Sequence, residues 1–78
     1  MKLMPDRHLD TTGFSCPIPV LKTKKALADM AAGTTLEVIA TDPAAPNDFI
    51  AFCKASGNPL IESGRRDDAY WFLIQRHP

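Results

Sequence analysis

The chain has 78 residues, 45% of them hydrophobic, and its nine basic and nine acidic side chains give a formal net charge of zero. This length allows one small domain with too little core to enclose a deep substrate pocket, and the hydrophobic content excludes a disordered chain. The balanced charge argues against nucleic acid or an anionic membrane as the main partner, because both attract a basic excess.

The sequence shows no sign of a membrane protein, a secreted protein or a disulfide-rich domain. No apolar run is long enough to span a membrane, and the first ten residues lack the apolar core of a signal peptide. The two cysteines, Cys16 and Cys53, are too few for a disulfide framework. We therefore expect a single cytoplasmic domain over residues 1–78, with flexible ends at residues 1–6 and 77–78.

The first predicted elements are a short strand and a helix. Residues 7–11 form the strand candidate, and the turn residues Thr12 and Gly13 end it. Apolar residues then recur at helical spacing from residue 17 to about residue 32, and Gly33 is the predicted helix stop.

A second strand and a second helix follow. Residues 35–41 alternate, with Leu36, Val38 and Ala40 on one side, which is typical of a half-buried strand. A turn rich in proline and alanine then leads into a helix over about residues 46–56, which the next glycine ends.

Two strands complete the chain, at residues 60–63 and 69–76, joined by a glycine-containing loop. The run from Tyr70 to Ile74 is apolar on both sides, as in a central strand. We expect Trp71 and Phe72 in the core, although two helices cover only one sheet face and leave one ring to an open face. The order β-α-β-α-β-β predicts an α/β (α+β) two-layer sandwich, with both helices on one face of a four-stranded sheet.

Cys16 is the candidate reactive residue. It occupies the predicted N-cap of the first helix, where the helix dipole and free N–H groups favour a thiolate, the reactive form. Because Pro17 and Pro19 carry no N–H, the N–H of Ile18 is the one inner donor for its sulfur. The dipole contributes about 0.3–1 kcal/mol, which predicts a pKa lowered by less than about one unit. The alternative is that Cys16 is a small buried hydrophobe.

Cys53 receives the opposite interpretation. It lies in the middle of the second predicted helix, on an apolar stripe with Phe49 and Phe52, so we expect it to be buried and inert. The sequence alone leaves a disulfide between Cys16 and Cys53 open, although a reducing cytoplasm disfavours it.

Metal binding and hydrolysis are not indicated. Two cysteines far apart in the sequence and two histidines near the ends show no ligand spacing, so we expect no metal and no cofactor. A cysteine hydrolase needs a base beside its nucleophile, and neither His8 nor His77 has an evident partner near Cys16.

Charged residues near Cys16 have two interpretations each. Asp10 precedes the cysteine loop and can orient it by accepting backbone N–H groups, or it is a solvated charge at a strand end. Lys22, Lys24 and Lys25 can attract an acidic partner or an anionic sulfur species, or they form a solvated helix face. Asp48 suits the dipole at the start of the second helix.

One segment carries a more specific signal. Residues 9–22 (LDTTGFSCPIPVLK) combine Asp10 and Gly13, in an Asp-x-x-Gly turn, with a Cys-Pro-x-Pro motif at residues 16–19. This segment resembles the signature of the TusA/SirA family of small sulfur-carrier proteins, and the likeness covers residues 9–74. Two departures from the family pattern lie outside the motif: phenylalanine in place of leucine at Phe14, and asparagine in place of histidine at Asn58.

The resemblance implies a fold and a site. The fold is like the C-terminal domain of bacterial translation initiation factor three, with a mixed sheet whose last strand lies between the second and third. The implied site centres on Cys16 as the persulfide carrier, with Pro17 and Pro19 at the helix start and support from the other motif and turn residues: Asp10, Gly13 and Ile18.

The resemblance also implies partners. In this family the cysteine takes a sulfane sulfur from a persulfide donor, a cysteine desulfurase or a rhodanese, and passes it to an acceptor protein. The sulfur serves tRNA thiolation, sulfur oxidation or cofactor assembly, and a carrier with one exposed thiol works as a monomer. Two other functions stay open: a non-catalytic regulatory or RNA-interaction module, which the zero net charge opposes, and a thiol-disulfide redox protein.

Overall fold

A computed structural model describes residues 4–77 of the chain. The elements follow the predicted order: β1 (Arg7–Thr11), α1 (Ile18–Ala28), β2 (Thr35–Ala40), α2 (Ala45–Ser56), β3 (Leu60–Arg66) and β4 (Ala69–Gln75). Within the described part of the chain, no helix has the length and apolar character needed to cross a membrane.

The sheet has the strand order β1-β2-β4-β3. β1 runs parallel to β2, whereas β4 pairs antiparallel with both β2 and β3, so the sheet is mixed. The last strand is therefore central, as its two apolar sides predicted and as the resemblance implied. The two-layer fold class is confirmed.

The first helix is shorter than predicted. α1 ends at Ala28, and Asp29 caps it by donating its N–H to carbonyls of the last turn. Gly33 lies beyond the helix with a φ of +85° and donates its N–H to the Arg76 carbonyl at 2.8 Å. Its left-handed backbone therefore serves the entry into β2 and not the end of α1.

The β3–β4 hairpin is tighter than the predicted loop. The turn consists of Asp67 and Asp68 alone, and Asp67 adopts a positive φ of 56°. Gly64, which we expected in the loop, lies inside β3 opposite Trp71. Its missing side chain leaves room for the Trp71 indole, which explains why a glycine here marks close packing and not a turn.

The core lies between the helices and one face of the sheet. Leu36, Val38 and Ala40 of β2 are fully buried there, which confirms the predicted alternation. Phe49 of α2 stacks on Phe72 of β4, with ring centroids 4.4 Å apart and planes 18° apart. Stacking of this kind adds about 0.5–1.5 kcal/mol to the burial of the two rings, so it fixes α2 on the sheet.

The other face of the sheet is not covered by a helix. Phe72 points into the core, and the neighbouring Trp71 therefore points to the open face, where it is half-buried. A Cβ atom on Gly64 would come within 2.8 Å of the indole ring. The aromatic ring left outside the core is thus Trp71.

Both ends of the described chain are hydrogen-bonded to the body. Asp6, expected in a flexible arm, donates its N–H to the Thr35 carbonyl at 3.0 Å and accepts the Thr35 N–H at 2.8 Å. His77, expected in a flexible tail, donates its N–H to Oδ1 of the buried Asn58 at 2.7 Å. The first three residues and the last one lie outside the described residues.

Cys53 is buried in the core, as predicted, and is a free thiol. Burial disfavours its charged form and raises the pKa of Cys53 from the ordinary 9.0 to about 11. An inert packing residue is consistent with this environment.

Replacement of Gly64 tests the packing of Trp71. Because the added methyl group collides with the indole, we expect Gly64→Ala to lower the free energy of unfolding by about 1–3 kcal/mol and to change the tryptophan fluorescence. Urea denaturation followed by fluorescence and by circular dichroism measures both. Ser63→Ala, at the neighbouring exposed position, is the control, and equal stability of the two variants would contradict this packing.

The raised pKa of Cys53 makes the free energy of unfolding depend on pH. Its pKa is higher in the folded state than in the unfolded chain, so its contribution to stability is complete below about pH 9 and is lost as the pH rises towards 11. We expect the free energy of unfolding of wild type minus that of Cys53→Ala to be constant near neutral pH. Above about pH 9 it falls by at most about 1.4 kcal/mol per pH unit. A difference that is flat through this range would show that folding does not raise the pKa.

Candidate functional site

Cys16 lies in the connection between β1 and α1, and its thiol is free and exposed. This excludes the interpretation of Cys16 as a buried hydrophobe. The N-cap position of α1 belongs to Pro17, so the predicted N-cap role of Cys16 is wrong. The N–H of Ile18 donates to the Ser15 carbonyl at 2.9 Å, closing a turn, and it is therefore not the predicted donor to the sulfur.

The two motif prolines have different positions. Pro17 is exposed and joined to Cys16 by a cis peptide bond. Pro19 is buried in the first turn of α1, and its carbonyl accepts a hydrogen bond from the Thr23 hydroxyl at 2.8 Å. Pro17 is the N-cap and Pro19 lies in the first turn, and at neither position does a missing N–H cost a helical hydrogen bond.

Asp42 holds the backbone of Cys16. The N–H of Cys16 donates to Oδ2 of Asp42 at 2.7 Å, and the other carboxylate oxygen accepts the N–H of Ala44 at 3.3 Å. Parallel pairing brings the ends of β1 and β2 together, with Thr11 opposite Ala40. The loops that leave these two strands therefore meet, and Asp42 ties one to the other.

Two further contacts fix the loop before Cys16. Gly13, with a φ of +85°, donates its N–H to the Thr41 hydroxyl at 3.0 Å. Asp10 accepts the N–H of Thr12 at 2.9 Å, and hydrogen bonds from the side chain and backbone of Thr12 hold the pKa of Asp10 below its ordinary value. Asp10 thus orders the loop through a backbone N–H, as one of its two interpretations predicted.

The thiol of Cys16 interacts with Asp48 from the first turn of α2. A hydrogen bond with the Asp48 carboxylate raises the pKa of Cys16, and partial desolvation and the negative charges of Asp48 and Asp42 act in the same direction. The predicted acidification is therefore wrong. Two carboxylates oppose the thiolate.

Asp42, Asp48 and Thr41 are the site residues that sequence analysis missed. Asp42 belongs to the loop between β2 and α2, to which no role is assigned from sequence, and Asp48 is interpreted from sequence only as a residue at a helix start. A signal was present for Asp42, because it directly follows the strand that pairs in parallel with β1. The position of Asp48 depends on how α2 packs on the sheet, which has no local signature.

Three large apolar side chains close to Cys16 in the sequence form an exposed patch, here called the apolar rim: Phe14, Ile18 and Leu21, which are 44%, 38% and 54% exposed. Ile18 and Leu21 lie one turn apart on α1, so they share a face. The ammonium group of Lys22 lies 4.9 Å from the centre of the Phe14 ring. Lys24 and Lys25 are exposed further along the helix, and so the rim has a cationic border.

The histidines and the cavity lie apart from the thiol. Nδ1 of His8 is 3.0 Å from Oε1 of Glu37, across the β1–β2 pair. A cavity of about 400 Å³ on the open face is lined by residues that include Trp71 and Thr41, but not Cys16.

Among residues 4–77, no three His, Cys, Asp or Glu side chains are arranged to hold a metal ion. The arrangement at Cys16 is an exposed thiol with adjacent carboxylates.

Residues 7–76 match the family described as sulfurtransferase TusA. The chain is 46% identical over 71 residues to the sulfur carrier protein TusA of Allochromatium vinosum, covering 91% of this chain and 93% of that protein. It is 44% identical over 72 residues to a protein of Neisseria meningitidis named as a candidate sulfur carrier, covering 92% and 97%.

A solved structure shares the fold of this chain. The crystal structure of a SirA-like protein from Desulfitobacterium hafniense superposes with a TM-score of 0.75, covering 92% of this chain and 99% of that chain. At 24% identity this likeness shows the shared fold alone. The sequence match, in contrast, extends from β1 to β4, over all four strands, both helices and the whole cysteine loop. The chain therefore belongs to the TusA family of sulfurtransferases.

Proposed function

We propose that this chain is a sulfur carrier that accepts a sulfane sulfur as a persulfide on Cys16 and passes it to an acceptor protein. The observation that carries the proposal is the exposed thiol of Cys16, whose backbone N–H donates to Asp42, within a TusA-family chain. The relative from Allochromatium vinosum is named a sulfur carrier. An accessible sulfur on a rigid body suits a molecule that two partners must reach in turn.

The loading step is an exchange of one sulfur atom. Sγ of Cys16 attacks the outer sulfur of the donor persulfide and forms a new S–S bond. The S–S bond of the donor breaks, and the donor thiolate leaves with the bonding electrons. Sγ of Cys16 is formally oxidised and the donor sulfur is reduced by the same amount, so no external oxidant is needed, and the proton that Cys16 gives up balances the one that the donor thiolate takes.

Delivery repeats the exchange with Cys16 as the leaving group. The acceptor thiolate attacks the outer sulfur of the Cys16 persulfide, and the Cys16 thiolate departs. A thiol with a raised pKa is a strong nucleophile once deprotonated but a slower leaving group. Because the carboxylates around Cys16 make its thiolate a slower leaving group, the complex with the acceptor has to assist the departure of that thiolate.

The apolar rim and its cationic border form the docking surface in this proposal. The residues of the rim are exposed and close to Cys16 in the sequence, so a partner that reaches the sulfur is expected to contact them as well. Lys22, Lys24 and Lys25 steer an acidic partner towards it. A cysteine desulfurase or a rhodanese is the proposed donor. Because donor and acceptor use one surface in succession, each contact is small and exchangeable, and the carrier acts as a monomer.

We place this chemistry in the cytoplasm, with sulfur destined for tRNA thiolation, sulfur oxidation or cofactor assembly. Both cysteines are free thiols, and a reducing compartment keeps the exposed one available.

Sulfur loading tests the proposal. After incubation with a cysteine desulfurase and cysteine, we expect mass spectrometry to show one added sulfur on Cys16 in the wild type. Cys16→Ser removes the acceptor atom and abolishes the gain, whereas Cys53→Ala, which alters a buried thiol, keeps it. Site localisation by peptide fragmentation completes the measurement.

Four outcomes contradict the proposal. A wild type that never gains sulfur, or two variants that load equally, would remove Cys16 as the carrier. A mixed disulfide between Cys16 and the donor, without persulfide, would support a thiol-disulfide redox protein. Salt-sensitive RNA binding that persists in Cys16→Ser, without sulfur loading, would support the RNA-interaction module.

A further inference from the structure

We propose that the cavity on the open face of the sheet binds an arginine side chain of a partner protein. The Trp71 indole stacks on the guanidinium group, and the carboxylates of Asp67 and Asp68 accept its N–H groups. This interaction goes beyond the proposed sulfur-carrier function, because the residues that line the cavity include neither Cys16 nor any residue of the apolar rim.

The cavity lies between the indole and the β3–β4 turn. Its volume of about 400 Å³ is within the range of about 300–1,000 Å³ that is common for ligand sites. Ala69 lies on the same side of β4 as Trp71, and its small side chain leaves the space beside the turn open. Ile39, which pairs with Trp71, and Thr41 form the wall towards β2. The cavity is therefore large enough to admit one long side chain.

The indole that lines the cavity is held in place by packing. Trp71 pairs with Gly64 of β3, and a Cβ atom on this glycine would lie 2.8 Å from Nε1 and Cζ2 of the ring. The ring therefore packs against the backbone of β3. A ring fixed in this way loses little freedom on binding. Indole attracts cations more strongly than the other aromatic side chains do, and a planar guanidinium group stacks on it.

The lining of the cavity has an excess of negative charge. Asp67 and Asp68 both line it, and within the described part of the chain neither carboxylate forms an ion pair. Arg65 lies on the other side of the hairpin, with its guanidinium group 5.8 Å from the centre of the Tyr70 ring. Arg66 gives the lining one positive charge against two negative charges. A cation is therefore the complementary occupant.

The charges of the whole molecule are divided in the same way. Lysines are found on the helices, on the other face of the sheet: Lys22, Lys24, Lys25 and Lys54. In the strands, carboxylates with open-face register are those of Asp10, Glu37 and Glu62, and the basic side chains there are His8 and Arg66. A chain with zero net charge thus has a basic helix side and an acidic sheet side. A basic segment of a partner is steered to the sheet side.

The cavity adjoins the connection that carries Cys16. Thr12 and Thr41 line the cavity, and the Thr41 hydroxyl accepts the N–H of Gly13 at 3.0 Å. A partner bound here therefore lies beside the cysteine loop, on the face of the sheet away from α1. The open face can hold one protein while the Cys16 thiol stays accessible to another.

An NMR titration of the full chain tests the site. Trp71 is the only tryptophan of the sequence, so its indole N–H signal reports on this cavity alone. We expect N-acetyl-arginine amide to shift this signal together with the amide signals of Thr41 and Ala69. N-acetyl-citrulline amide has nearly the same shape without the charge, and we expect it to bind about threefold more weakly or less. Free L-arginine also binds more weakly than N-acetyl-arginine amide, because the two aspartates repel its carboxylate, so the site favours a side chain within a protein.

Matched variants assign the charge effect to the turn. We expect Asp68→Asn to weaken the binding of N-acetyl-arginine amide by about twofold or more, and the added Asp67→Asn to weaken it further. Asparagine tolerates the positive φ of 56° at Asp67, so the turn is kept. Asp29→Asn removes one carboxylate at the end of α1 and leaves the affinity unchanged. Circular dichroism confirms that each variant is folded.

The contrary results are distinct. Equal affinities for the arginine and citrulline derivatives, or an indole signal that N-acetyl-arginine amide does not shift, would overturn the proposal. Tighter binding of free L-arginine would replace the partner side chain with a small molecule, and tighter binding of uridine 5′-monophosphate would replace it with a nucleotide. Because the titration involves no sulfur transfer, a wild type that gains no sulfur contradicts the proposed function and leaves this proposal standing.

Discussion

The parallel pairing of β1 with β2 is the constraint on which the site depends. It brings two loops from different parts of the chain to one edge of the sheet, where the Cys16 N–H donates to Asp42 at 2.7 Å. The central position of β4 supports this pair from the other side, and the Phe49–Phe72 stack fixes α2 above it. A small core thus positions an exposed thiol without enclosing it.

The pKa of Cys16 is raised, whereas its position before a helix predicts a lowered pKa. A helix dipole favours a thiolate, but its effect is small at an exposed position. Two carboxylates act more directly, and they raise the pKa of Cys16. The raised pKa favours the protonated form of the thiol. For a carrier that meets many thiols, this limits exchange with the wrong ones.

Local patterns predicted most of the fold. The alternation of Leu36, Val38 and Ala40 and the two-sided apolar run of β4 gave the correct burial and the central strand, because burial leaves a periodic trace in sequence. Gly33 and Gly64 were misassigned, since glycine serves helix ends, turns and close packing alike. The Cys-Pro-x-Pro motif predicted the role of Cys16. The sequence did not predict the interactions of Cys16 with the two carboxylates, because these residues are brought together only by the tertiary fold.

Transfer through the carrier tests the account most directly. The chain is loaded with isotopically labelled sulfur, separated from its donor and mixed with an acceptor protein that has a reactive cysteine. The account predicts that the label leaves Cys16 and appears as sulfane sulfur on the acceptor cysteine, while the carrier returns to a free thiol. Label that stays on Cys16, or that leaves only as free sulfide, would contradict a carrier function.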